Sequence, residues 1–217
     1  MSGIYIHIPF CRKACTYCDF HFVTGMKRRG EMAAAICREL ELRKDFFAPE
    51  TVIETVYFGG GTPSVLTDKE LRSILAAIFA QWNIHPDAEI TLEANPDDLS
   101  PGKLEQLQEA GINRLSIGVQ SFEEEDLRWM NRSHSAAQAT AALRDAQAAG
   151  FHNLSLDLIF GLPGRSLADW QNNLDRAISL GIPHLSLYAL TVEEKTALGW
   201  QVQQQKVHLP EDESFGE

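Results

Sequence analysis

Basic charge is what this sequence is short of: 19 Lys and Arg stand against 30 Asp and Glu, a net charge of -11 over 217 residues. A nucleic-acid partner normally leaves a basic footprint, so that class of function is not expected. Long apolar runs are also missing. No stretch reaches the length that a bilayer-spanning helix needs, so no integral membrane segment is expected. The opening Met1-Ser2-Gly3-Ile4-Tyr5 has no basic region leading into an apolar one, which argues against secretion and for a cytoplasmic location. The G-x-G-x-x-G spacing of dinucleotide-binding turns is absent. No linker or break in composition divides the chain, so one core domain is expected.

The charge that is present is uneven. Residues 1–45 hold eight Lys and Arg against five Asp and Glu, which leaves the acidic excess to the rest of the chain. Most of that basic share reads as a solvated helix face.

Short β-type runs alternate with longer helical ones. Strands are expected over Ile4–Ile8, Thr55–Phe58, Glu89–Glu93, Arg114–Val119, Leu154–Ile159 and His184–Ala189, with helices over 28–47, 68–81, 100–110, 135–149 and 167–180. Thr67-Asp68-Lys69-Glu70 is a capping box, and Ser100-Pro101 sets a cap before a proline at the first helical position. Repeated strand–helix alternation implies a parallel sheet covered by helices, an α/β fold. In the first strand Ile4, Ile6 and Ile8 share one face and Tyr5 and His7 the other, a pattern that favours a partial barrel with a polar inner face.

The unusual residues gather where such folds build their sites. Cys11, Gly59–Thr62, Glu93, Gln120 and Asp157 all fall at, or just after, the carboxyl end of an expected strand. Three of the four cysteines are close together, in Cys11-Arg12-Lys13-Ala14-Cys15-Thr16-Tyr17-Cys18, while Cys37 sits in a helical run as a small hydrophobe. An odd cluster of three does not suggest a disulfide framework. Structural zinc, with His7 or His21 as a fourth ligand, and a [4Fe–4S] cluster with one iron left open are both compatible with this spacing. Phe58-Gly59-Gly60-Gly61-Thr62-Pro63-Ser64 reads either as a tight turn or as backbone that closely approaches a ligand.

The C-x3-C-x2-C spacing, with Tyr17 just before the last cysteine, resembles the signature of the radical S-adenosylmethionine (SAM) family. Tyr5–Cys11, Gly59–Ser64, Asn113–Gln120 and Asp157–Pro163 resemble, in the same order, the group of oxygen-independent coproporphyrinogen III oxidases and related heme chaperones. The resemblance implies a partial (β/α)6 barrel of the radical SAM type. It also implies Cys11, Cys15 and Cys18 as ligands of a [4Fe–4S] cluster whose fourth iron takes the amino and carboxylate groups of SAM. Tyr5, Tyr17, Gly60, Gly61 and Thr62 would contact SAM near its methionine end, and Glu93, Gln120, Arg132 and Asp157 the rest of it. No catalytic residue is assigned. His7 stands either as a group that approaches the sulfonium or a substrate, or as a packed, hydrogen-bonded histidine.

One departure separates the two branches of the group. The oxidases resemble C-x3-C-x2-C-x-C, whereas this run continues Cys18-Asp19-Phe20, with the phenylalanine that the chaperones have. The resemblance therefore implies a heme chaperone that binds heme and delivers it to an acceptor protein, with a separate reductant for the cluster. The alternative is an enzyme that decarboxylates coproporphyrinogen III through a 5'-deoxyadenosyl radical. The His-Asn motif linked to heme in the chaperones belongs beyond this sequence, so His152, which precedes the strand carrying Asp157, reads as a loop residue. Residues 1–209 read as the core domain, and 210–217, acidic and led by Pro210, as the start of a truncated C-terminal region.

Overall fold

Six β-type segments pair side by side in chain order, every pair parallel. The computed structural model describes residues 2–208, and the boundary expected at 209–210 lies outside them. The strands are β1 (Gly3–Ile8), β2 (Val52–Gly60), β3 (Asn83–Ala94), β4 (Arg114–Gln120), β5 (Asn153–Phe160) and β6 (His184–Ala189). Between them run α1 (Arg29–Leu42), α2 (Asp68–Gln81), α3 (Pro101–Glu109), α4 (Glu124–Trp129), α5 (Ala136–Ala148) and α6 (Leu167–Ser179), and α7 (Ala197–Gln203) follows β6. Among the described residues β1 and β6 do not pair with each other, so the sheet is an open, partial barrel.

Alternation along the strands decides which face is apolar. Ile6 and Ile8 of β1, Val56 and Phe58 of β2, Leu92 of β3, Leu115 and Ile117 of β4 and Leu156 and Leu158 of β5 are buried in one core with the helices. The other face carries Tyr5 and His7, Tyr57, Thr91 and Glu93, Arg114 and Ser116, Ser155 and Asp157, and Ser186. Ion pairing and hydrogen bonding line its deeper part: Arg114 lies 3.7 Å from Glu89, to which Asn153 Nδ2 donates at 3.1 Å. A concave face of this kind stays polar and leaves its upper rim available for ligand contacts.

Local chemistry sets the helix starts. Thr67 accepts from the Glu70 N–H, and Glu70 accepts in return from the Thr67 N–H at 2.8 Å, the reciprocal cap read from the sequence. Glu70 also pairs with Arg29 at 2.8 Å, tying α1 to α2. Ser100 caps α3 with Pro101 in its first turn.

The structure differs from expectation at several ends. Helix α1 stops at Leu42 rather than 47. Strand β3 begins at Asn83 rather than Glu89: residues 85–88 drop out of pairing with β2, and Pro86 within them reads as a strand breaker. Helices α4 and α7 were not expected, since six or seven residues are too few to reveal a helical period. Cys37 is half-buried against the core. No helix among the described residues is long and apolar enough to cross a membrane.

Candidate cofactor site at the carboxyl rim

Parallel pairing puts all six carboxyl ends on one edge. The loop after β1 carries the three clustered cysteines, each with a free thiol. Main-chain bonds hold that loop. Cys11 N–H donates to the Val23 carbonyl at 3.0 Å and Val23 N–H to that of Pro9 at 2.8 Å; Thr16 N–H donates to Met130 and Leu198 N–H to Thr16. Asn131 Nδ2 reaches the Ala14 carbonyl at 2.8 Å. Beside Cys11, Arg12 clamps the buried Asp98 at 2.6 Å, and Asp98 also accepts from Ser64 Oγ at 2.7 Å. Burial pushes the Cys11 and Cys18 thiols up from their ordinary range, Thr62 working against it at Cys11.

The glycine run lies directly against this loop. Gly61 N–H donates to the Ile8 carbonyl at 2.9 Å. A Cβ on Gly61 would stand 2.8 Å from the Phe10 carbonyl oxygen and 3.0 Å from Cys11 Sγ, so only glycine fits there. Gly60 has φ of +114° and would push a Cβ to 2.7 Å from the His7 ring. Thr62 Oγ1 lies 3.5 Å from Cys11 Sγ.

Next along the rim stands Glu93, with both carboxylate oxygens engaged. Tyr57 Oη donates to Oε1 at 2.7 Å and Gly60 N–H to Oε2 at 3.1 Å. Burial nevertheless keeps the Glu93 pKa above the usual carboxylate range, with Asp157 adding to it. Tyr57 in turn stacks on Tyr5, ring centroids 6.0 Å apart. His7 Nδ1 lies 3.2 Å from Tyr5 Oη, and Nε2 lies 3.4 Å from the His21 carbonyl. A ring protonated at Nε2 accepts from the tyrosine and donates to the carbonyl.

On the far side, Asp157 is raised chiefly by burial and moderated by hydrogen bonds from Ser186 and Ser116. Gln120 ends β4 at a register shift with φ of 68°, and its amide turns back over Gly118. Arg132, in the loop after α4, reaches across the rim. Its Nη2 donates to Asn95 Oδ1 at 2.7 Å and to the Gly118 carbonyl at 2.8 Å; its Nη1 lies 3.3 Å from Cys15 Sγ and 3.4 Å from Tyr17 Oη. Burial opposes its charge, but Tyr17 and Cys15 outweigh that and keep the guanidinium firmly cationic.

Cys11, Cys15, Cys18, Gly60, Gly61, Thr62, Glu93, Gln120 and Asp157 thus lie at or beside one rim, with Arg132 reaching across it and Tyr5 lower on the same face of β1. Sequence reasoning missed four: Tyr57, Asn95, Asp98 and Ser186. Tyr57 was reachable, since it lies two residues before Gly59 on the same strand face. Asn95 and Asp98 follow β3 without a motif of their own.

Two features test the fit of a cofactor. Arg132 Nε is buried with no hydrogen-bond partner among the described residues. At Gly60 and Gly61 the main chain closes directly against the His7 ring and the Phe10–Cys11 segment, and both oxygens of Glu93 face this same stretch through Tyr57 and the Gly60 N–H. The unpartnered Arg132 donor fits a ligand carboxylate, the Glu93 carboxylate fits a ligand ammonium, and three thiols on one loop fit a cluster with an iron at each. No three His, Cys, Asp or Glu side chains among the described residues converge as a single metal ion would need, and a cluster does not require them to.

The fold and rim together define a class: an open parallel half-barrel presenting three thiols on the loop after its first strand and carboxylates on later strand ends. A family model for the radical SAM superfamily matches residues 5–177, and the chain belongs to that superfamily. Membership implies a [4Fe–4S] cluster and SAM as cofactors.

The chain is 38% identical to the heme chaperone HemW of Bacillus subtilis, over all of its own length and 58% of that protein. It is 39% identical to the HemW of Escherichia coli, over 91% of its own length and 52% of that one. It therefore spans about half the length of the curated relatives it matches. Among solved structures it resembles E. coli coproporphyrinogen III oxidase, described as a radical SAM enzyme. That similarity has a TM-score of 0.86 at 28% identity and covers 98% of this chain and 49% of the other.

Proposed function

We propose that Cys11, Cys15 and Cys18 bind a [4Fe–4S] cluster, that the glycine run, Glu93, Gln120, Arg132 and Asp157 bind SAM, and that the protein is a heme chaperone passing heme to an acceptor protein. The observation that carries the chaperone reading is Phe20. It stands two residues past the third cysteine, 69% exposed at the rim, where the oxidases carry a further thiol. A benzyl group supplies neither a proton nor a nucleophile, so any step needing that thiol is closed to this chain. Identity of 38% and 39% to two proteins named heme chaperone HemW supports the same reading. Free thiols throughout fit the reducing cytoplasm. Partners on this reading are heme, its acceptor and a reductant.

When bound, the cluster and SAM supply low-potential one-electron chemistry at a sulfonium. The chain's own residues do the positioning. Gly60 and Gly61 let the backbone approach, while Tyr57 and the Gly60 N–H fix the plane of Glu93 so that it can accept from an ammonium or a ribose hydroxyl. Arg132 Nε is the donor left for a carboxylate.

Anaerobic reconstitution followed by separate titrations with SAM and with heme tests the proposal. Saturable binding of both is expected, together with no loss of carbon dioxide from coproporphyrinogen III supplied with SAM and reductant. Mass analysis showing two decarboxylations would move the chain to the oxidase reading, which the structural similarity to the E. coli oxidase supports only as a related family.

The Tyr57–Glu93 bond has a pH signature. Glu93 must be ionised to accept from an ammonium, and burial already raises its pKa. SAM binding should weaken as pH falls through that raised value. Tyr57→Phe removes a donor that favours the ionised form, so the weakening should begin at higher pH. At neutral pH the loss should be about three- to tenfold, on the order of 1 kcal/mol. Equilibrium dialysis at a series of pH values measures both, and parallel profiles would reject the role given to Tyr57.

A further inference from the structure

Arg132 lies 117 residues from Cys15 in sequence, yet it places Nη1 3.3 Å from the Cys15 sulfur. The contact is held from behind: Nη2 is fixed by Asn95 Oδ1 at 2.7 Å and by the Gly118 carbonyl at 2.8 Å. Asn95 follows β3, and Gly118 lies at the register shift of β4. The guanidinium thus belongs to the rigid sheet rim rather than to a free side chain. A Cβ on Gly118 would stand 3.4 Å from Nη2, so that strand is also shaped to admit it.

From this geometry we infer that Arg132 is a positioning residue for the cluster itself, donating an N–H···S bond to the Cys15 ligand and thereby raising the potential at which the cluster accepts an electron. The inference rests on the reading of Cys11, Cys15 and Cys18 as cluster ligands, and it assigns Arg132 a role that holds with no SAM bound. The physical ground is general. Reducing a thiolate-ligated cluster adds one negative charge, which hydrogen bonds to the sulfurs and nearby positive charge stabilise. Arg132 supplies both at one ligand. Arg12 contributes less, because its charge is already neutralised by Asp98 at 2.6 Å and it is half exposed. The arrangement also divides the guanidinium: Nη1 serves the cluster, Nη2 the scaffold, and Nε remains free. A SAM carboxylate at Nε would therefore not have to break the bond to sulfur.

The test is a reductive titration of the reconstituted full chain without SAM, followed by electron paramagnetic resonance, with mediator dyes passing one electron to each cluster. Arg132→Gln should retain iron and sulfide yet show about a tenfold lower ratio of reduced to oxidised cluster at the parent midpoint, a negative shift of about 59 mV for a one-electron couple. Arg132→Lys, which keeps charge without the planar fork, should fall between the two. Superimposable curves for the parent and Arg132→Gln at equal iron content would overturn the inference. Should Arg132→Gln fail to load, Arg132→Lys decides alone, since an unshifted curve there removes the need for the guanidinium geometry. A parent chain that takes up no iron and sulfide would instead overturn the cluster reading, a result distinct from any of these.

Discussion

Cys15→Ala should retain almost no iron or sulfide after anaerobic reconstitution while keeping its far-ultraviolet circular dichroism and its cooperative melt. The separation follows from which atoms hold the loop. Thr16, Ala14 and Cys18 are anchored through main-chain groups, to Met130, Asn131 and the Cys15 carbonyl respectively. The Cys15 side chain belongs to neither apolar cluster and is half-exposed. Among the described residues its one directional contact is the bond from Arg132, and losing it returns one donor to a guanidinium still held by Asn95 and Gly118. Truncation outside the core usually changes stability by less than about 0.5 kcal/mol. On the proposed ligation the same change removes one of three protein ligands, and two thiolates do not hold four irons against loss to solution. Iron and sulfide analysis beside a thermal melt reads both halves. A variant with parental iron content would refute the ligand assignment.

The parts of this molecule legible in the sequence are those where a local rule and the global fold agree. β6 falls at His184–Ala189 and α2 at Asp68–Gln81, as the pattern predicts, because alternation and a reciprocal cap are complete within a dozen residues. The placement of Cys11, Glu93, Gln120 and Asp157 on one rim was also legible, since parallel strands bring all their carboxyl ends to one edge. Resemblance to a family then gave these positions roles that spacing alone left open between zinc and iron–sulfur. Illegible were features made by distant pairing. Nothing local links Arg132 to Cys15 or Arg12 to Asp98, and each pair exists only after several βα units have closed on one another. The inward face of Tyr57 could be read, but its bond to Glu93 depends on the β2–β3 register, which an irregularity after Ile53 resets. Helices α4 and α7 are too short to carry a period, yet through Met130 and Leu198 their neighbourhoods hold the cysteine loop in place.

The two adjacent glycines should fail in different ways, and the difference separates cluster from SAM. At Gly61 an added Cβ meets main chain: the Phe10 oxygen at 2.8 Å and the Phe10 nitrogen at 3.0 Å, with Cys11 Sγ at 3.0 Å. Backbone cannot swing aside, so Gly61→Ala must displace either the Cys11 loop or the Gly61 N–H from its bond to the Ile8 carbonyl. The proposed first cluster ligand, Cys11, moves with it, and reconstitution should yield well under half the parental iron. At Gly60 the obstacle is the His7 ring, a side chain able to turn, and the larger burden is the φ of +114°, worth on the order of 1–3 kcal/mol for a residue with a Cβ. Relief of that strain rotates the peptide whose N–H donates to Glu93 Oε2. Gly60→Ala should therefore lower the melting temperature by several degrees, at about 2–4 °C per kcal/mol for a chain of this size, and weaken SAM binding at least tenfold while iron content stays near parental. Iron analysis, a melt and a SAM titration on both variants distinguish these outcomes. Equal iron loss in the two would mean that the run acts as one turn supporting the cysteine loop, and the separate role of Gly60 in holding Glu93 would be withdrawn.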